Sequence, residues 1–259
     1  MPTFTGKTFA SFYKNILGLN QSSNTGVDNI TRVVHDGAGN STSISLSDDV
    51  FKVQPINDDT TLSFNVLNKT GDSILSVDTT NSIVRVGAGN IAANTMYKEM
   101  GLYDFSPLAG YHYPLVANTM HFESAYAADS DWGNGSDPPT TLDVSGLTAQ
   151  ENAVAVYWYL DDNITLDSVR YMATADGSAT LNFHLFSYAL DTSSNYGDLS
   201  DGTVQASGTV AATATTIKTG TLSLDAADIV RNRVVIGFVE NVTDTSDVSI
   251  ALTIKYHLT

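Results

Sequence analysis

The chain has 259 residues, with 42% hydrophobic and only 15% charged side chains and no cysteine. This excludes a disordered polyelectrolyte, and with it every disulfide, thiolate metal site, iron–sulfur cluster and cysteine nucleophile. No apolar run approaches the length of a membrane-spanning helix, and the first twenty residues hold no uninterrupted apolar core of a secretory signal, so neither is expected. The net charge of −16 repels phosphate backbones and argues against nucleic-acid binding. That charge is unevenly placed. Residues 1–98 carry seven Lys/Arg against eight Asp/Glu, a net of −1, whereas residues 99–259 carry five against twenty, a net of −15. A nearly neutral first third can approach another protein; an acidic remainder stays hydrated.

In chain order, residues 1–26 read as an anchoring arm. Phe9, Phe12, Tyr13, Ile16 and Leu17 recur at helical spacing, with Thr8 as N-cap and Gly18 as the stop. The polar run Asn20–Gly26 reads as a linker. So short a helix is marginal alone in water and needs a surface for its aromatic stripe, either its own chain or a larger assembly. Phe4 and Lys7 lie ahead of the stripe as rim contacts.

Residues 27–97 read as short strands. Ile44 and Leu46, Phe51 and Val53, Leu62, Phe64 and Val66, Leu75 and Val77, and Val84 and Val86 alternate with polar residues. The separators DGAGN, NDD, NKTGD and DTTN are turn chemistry. Each strand supplies two or three apolar side chains, too few for a secure monomeric core. Three chains sharing one axial core would remedy this.

Residues 98–259 read as a second unit, an antiparallel β-sandwich of jelly-roll type. Strands are expected at Ala153–Leu160, Ile164–Met172, Thr180–Tyr188, Val204–Val210, Thr215–Leu224, Val234–Val239 and Val248–Leu258. In the last of these Val248, Ile250, Leu252, Ile254 and Tyr256 share a face. A short helical turn is expected near Leu224–Val230, and a long loop around Asp129–Thr141.

The chemistry-bearing residues form no known catalytic motif. The five histidines His35, His112, His121, His184 and His257 show no metal-ligand spacing. His121 and Glu123 would share a strand face, but two ligands do not make a zinc site. Asp129, Asp131, Asn134 and Asp137 gather oxygen ligands, yet Gly133 and Asn134 occupy the EF-hand positions in the wrong order. A solvated acidic loop is the favoured reading there, with a calcium loop left open. No metal, cofactor or catalytic residue is assigned. Of the Tyr157–Trp158–Tyr159 run, at least one side belongs to the core. Six N-x-Ser/Thr sequons, at Asn29, Asn40, Asn68, Asn134, Asn163 and Asn241, follow from the abundance of those residues.

The run from Val34 to Val86 carries one further signal. Asp36, Gly37, Gly39, Asn40, Thr42, Leu46 and Ser47 are followed by Phe64, Val66, Gly71, Ile74, Leu75, Val77, Asp78, Thr80, Asn81 and Val84. This pattern resembles modules of tailed-bacteriophage fibre and virion-appendage proteins, and the ending Ile254–His257 looks like the tail of such proteins. The resemblance implies a virion protein, usually a homotrimer. The expected function is a structural role at the particle surface, as a capsid decoration or head-fibre protein bound to other capsid or tail proteins. The particle-docking residues would be Phe4, Phe9, Phe12, Tyr13, Ile16 and Leu17. The alternative is a short tail-fibre protein whose sandwich loops recognise a host glycan. An enzyme, a membrane partner and a nucleic-acid partner are not expected.

Overall fold

A computed structural model describes residue 13 and residues 16–21, 26–87, 91–118, 132–144, 150–192, 197–242 and 246–259. It is an all-β protein whose paired strands run antiparallel throughout. The chain divides into two compact units, Met1–Ala93 and Asn94–Thr259.

The first unit contains two four-stranded sheets. One follows the order β1 (Gly18–Leu19), β2 (Arg32–His35), β3 (Ser41–Leu46) and β4 (Phe51–Val53). The other is formed by β5 (Phe64–Leu67), β6 (Ser73–Asp78), β7 (Ile83–Val86) and β8 (Ile91–Ala92), again paired in chain order. Side-chain turns set these registers. The Asp36 carboxylate accepts from the amides of Ala38 (2.9 Å) and Asn40 (2.8 Å). The same carboxylate is held below its ordinary pKa, first by the Asn40 side chain. Asn68 Oδ1 accepts from the amides of Thr70 and Asp72, both at 2.9 Å, around Gly71 at φ +93°. Asp78 caps the next turn, accepting from the amide of Asn81 at 3.0 Å.

These sheets have almost no interior. Val34 and Ala92 are the buried apolar residues among those described in this unit. Phe51 is 64% exposed, and Leu62, Phe64, Val66, Leu67, Ile74, Val84, Val86 and Ile91 also face outward.

Only part of the arm is among the described residues. Phe4, Phe9 and Phe12 lie outside the described residues. Tyr13, Ile16 and Leu17 are exposed. Gly18, expected to stop a helix, instead begins β1 and sits opposite His35, with Leu19 opposite Val34. The Asn20 amide extends the pairing to the Val33 carbonyl (3.1 Å). Most of the expected helix lies outside the described residues; near its end the Ile16 amide donates to the Tyr13 carbonyl at 3.1 Å. Tyr13 is tied to the same sheet, because a Cβ on Gly37 would fall 1.8 Å from the Tyr13 carbonyl oxygen.

The second unit starts with β9 (Thr95–Phe105), which spans the division expected at 97/98. It continues with β10 (His112–Pro114), β11 (Trp158–Tyr159), β12 (Ile164–Ala175), β13 (Ala179–Leu190) and β14 (Leu199–Ala212). The last strands are β15 (Lys218–Thr221), β16 (Ser223–Leu224), β17 (Asp228–Ile229), β18 (Arg233–Asn241) and β19 (Val248–Leu258). One sheet has the order β10-β18-β13-β14-β16, with β11 also on β18; the other has the order β15-β12-β19-β9, with β17 on β12. The nested pairs β9 with β19, β10 with β18, β12 with β15 and β13 with β14 give the winding of a jelly roll.

Between the sheets, Met100, Leu166, Val169, Leu252 and Ile254 meet Leu181, Phe183, Leu185, Val235 and Val239 in one buried cluster. The expected face of the last strand is confirmed from Val248 to Ile254, all buried, with Tyr256 half-buried. A second cluster lies on the opposite face of the larger sheet. There Phe186, Tyr188, Val234, Ile236 and Phe238 are covered by Trp132, Leu142, Val144, Ala153, Val156 and Tyr157. β18 is therefore buried on both faces, as its continuous run VVIGFV allows.

Two local expectations fail. The stretch near Leu224–Val230 forms the short strands β16 and β17 instead of a helical turn. The apolar run Ala153–Leu160 is a 3₁₀ turn, Gln150–Ala155, followed by the two residues of β11. Its side chains cover a sheet and do not extend one. Tyr157 joins the second cluster, Trp158 rests on Tyr256 with ring centres 4.9 Å apart, and Tyr159 is exposed.

Candidate metal centre

The outer face of the larger sheet carries a row of polar side chains among its aromatic residues. Register places His112 of β10 opposite Glu240 of β18, and Glu240 opposite Asn182 of β13. His184 lies two residues beyond Asn182, on the same face by strand alternation. His112 is fully buried, and His184 and Glu240 are each 6% exposed. One potential ligand atom from each of these three lies within 4.8 Å of the others.

The surrounding hydrogen bonds define the state of each group. His112 Nε2 lies 3.1 Å from the Gly135 carbonyl oxygen. A carbonyl only accepts, so Nε2 carries the proton and Nδ1 keeps its lone pair. That Nδ1 is buried without a hydrogen-bond partner, as are both ring nitrogens of His184. Glu240 Oε2 accepts from Asn182 Nδ2 (2.8 Å), and Asn182 Oδ1 accepts from Thr209 Oγ1 (2.7 Å). The two imidazoles meet edge to face at 5.4 Å.

Burial drives both histidines toward the neutral form. Desolvation brings His184 to about 4, the neighbouring His112 adds to this, and Asp137 and Asp225 oppose it. His112 is also lowered by desolvation, against Glu240, the Gly135 carbonyl and Asp137. Neutral imidazole is the form that binds a metal.

A loop closes the site. The amides of His112 and Trp132 pair with the carbonyls of Gly133 (2.9 Å) and His112 (2.8 Å). Gly133 and Gly135, at φ +107° and +121°, take conformations that favour glycine and bring the Gly135 carbonyl to the ring. Asp137 Oδ1 stands 3.6 Å from His184 Nδ1 on a side chain that is 63% exposed.

The sequence assigns no metal site, and the structure brings together three possible ligands that the sequence does not single out as a set. His112, His184 and Glu240 are too far apart in the chain for any spacing rule to join them. A signal was present: His184 and Glu240 interrupt otherwise apolar strands, TLNFHLFSY and RVVIGFVEN. Among the described residues, the other candidates do not converge. His121, Glu123, Asp129 and Asp131 lie outside the described residues. Asn134 bridges to Tyr111 through its backbone. His257 Nδ1 contacts Asp167 (3.0 Å), and His35 Nδ1 contacts the Gly39 carbonyl (3.1 Å). A separate apolar groove of about 360 Å³ lies over the five-stranded sheet, lined in part by Tyr103, Met172 and Ile217.

No family model matches the chain, and no curated protein matches it. A solved chain titled as the structure of infectious bursal disease virus Gx strain aligns with 92% of this chain at 11% identity and a TM-score of 0.25. The alignment takes in 48% of that chain, so this protein spans about half its length. So loose a superposition carries no weight for function.

Proposed function

We propose that this chain is a structural protein of a tailed-phage particle, a homotrimeric capsid decoration or head-fibre protein. The observation that carries this reading is the missing interior of the first unit. Folding two four-stranded sheets orders dozens of residues, each costing about 1–2 kcal/mol of backbone entropy. Val34 and Ala92 cannot offset that cost. Exposed Phe51, Leu62, Phe64, Leu67, Ile74 and Ile91 form the apolar surface that companion chains would cover. The near-neutral charge of this segment permits such association, and the resemblance of Val34–Val86 to appendage modules points to three copies. The acidic jelly roll is the part offered to solvent. Phe4, Phe9, Phe12, Tyr13, Ile16 and Leu17 dock on another capsid or tail protein. The protein has no catalytic role.

Light scattering on the purified full chain tests the oligomer. A trimer is expected, and the double variant Phe64→Asp/Ile74→Asp should shift it toward monomer. A stable folded monomer at micromolar concentration refutes the trimer. Labelled antibody against the jelly roll, imaged on intact particles, tests the location.

A further inference from the structure

We propose that His112, His184 and Glu240 form a structural site for a divalent transition-metal ion of the zinc class. The inference goes beyond the particle role and stands independently of it.

The donor set is the first argument. Two neutral imidazoles and a carboxylate suit zinc, cobalt or nickel, whereas calcium and magnesium take oxygen ligands. The second argument is the state of the donors. A buried imidazole nitrogen without a partner is destabilising; His112 has one and His184 two, and one ligand atom from each ring lies within 4.8 Å of the other and of a Glu240 oxygen. Glu240 carries a different cost, that of a buried charge, although Asn182 donates to it. It is buried, and no described Lys or Arg forms an ion pair with it. A cation would take one nitrogen of each ring and neutralise the carboxylate together.

The third argument is the outer shell. Metal-bound histidines commonly donate their other N–H to a carbonyl or carboxylate, which fixes the ring. His112 does so to Gly135, leaving Nδ1 with its lone pair available to a metal. Asp137 is placed to do the same for His184, or to act as a further ligand. Asn182, held by Thr209, orients Glu240. Ligands at about 2.0–2.2 Å from one ion stand about 3.3–3.6 Å apart, so side-chain rotation must close the observed 4.8 Å spacing. The strands supply the framework for this, because three adjacent strands bring the residues to one face. The exposed Asp137 side marks the route for the ion.

The consequence is mechanical. The ion would join β10, β18 and β13, and through Gly135 it would pin the covering loop to the sheet.

The test uses the full-length protein, stripped with chelator and titrated with Zn²⁺. One ion per chain and a higher melting temperature are expected. Cobalt should give the intense visible bands of low coordination, which do not depend on any variant folding. His184→Gln and Glu240→Gln should lose the stoichiometric site, while His257→Gln keeps it. If those variants fail to fold, Asn182→Ala leaves every ligand in place and should weaken binding about 10–100-fold. The proposal is overturned if stripped protein takes up no zinc, if His184→Gln binds it undiminished, or if Asn182→Ala leaves affinity unchanged. Equal stabilisation by Ca²⁺ would also overturn it.

Discussion

Trp132 fastens the covering loop to the jelly roll, and its truncation to alanine should destabilise the second unit more than any other change in that loop. The indole is 3% exposed and meets Tyr157 at 6.2 Å and Phe238 at 5.9 Å, both edge-on. Burying a ring of this size removes about 200 Å² from water, or about 5 kcal/mol at 25 cal/mol per Å². Truncation of a buried aromatic residue costs about 3–5 kcal/mol, since the cavity relaxes only in part. For a unit of this size each kcal/mol moves the melting temperature by about 2–4 °C, so Trp132→Ala should melt about 6–20 °C below the parent. Calorimetry and near-ultraviolet circular dichroism at matched protein concentration read this directly. Tyr159→Ala, at an exposed ring bonded only to Asn232 (3.0 Å), is the control and should stay within about 1 kcal/mol. A Trp132→Ala variant melting within 2 °C of the parent, about the shift of 1 kcal/mol, would show that the loop layer contributes no stability and would refute the reasoning.

Gly202→Ala should cost about 1–3 kcal/mol by overpacking, because the new Cβ would lie 2.5 Å from the Tyr188 ring and 2.8 Å from the Thr140 Cα; chemical denaturation checks it. In chelator, stability should be full above pH 6.5 and fall toward about 4, since the unfolded chain takes a proton on His184 that the folded one refuses. The loss is at most about 3 kcal/mol, set against Asp137, Asp225 and Glu240, which face the two histidines; His184→Gln should flatten the profile in urea melts at stepped pH. Melting temperature should rise with protein concentration if unfolding is reversible, as dissociating trimers require, and a constant value would count against the shared core. Deleting residues 1–20 removes β1 and bares the edge of β2, so hydrogen exchange at His35, whose amide faces β1, should quicken, and unchanged protection would show that β1 pairs only weakly.

Much of the jelly roll was legible because period-two alternation is a local signal. Leu181, Phe183 and Leu185 announce their shared face, and so do Val248 through Ile254. The covering layer was not legible. Ala153, Val156 and Tyr157 are apolar for the same reason a strand would be, and only the sheet beneath them decides that they form a turn. The strand at Gly18 and Leu19 was not legible, because a two-residue strand exists only through its partners Val34 and His35. The histidine site escaped for a related reason. Its members converge through strand register, which depends on the winding of the whole unit.

That winding also governs when the unit can form during synthesis. β9 completes its pairing only with β19, and Met96 waits for Tyr256, 160 positions later. While the ribosome still holds the last strand, the inner edge of β9 stays open and the partly made sheet shows its apolar face. Closure must therefore wait until β19 has left the ribosome. A premature stop before Val248 would remove the middle strand between β9 and β12 and leave β9 with its isolated Gly101–Val116 bridge, so the eleven residues of β19 decide whether the five-stranded sheet holds together.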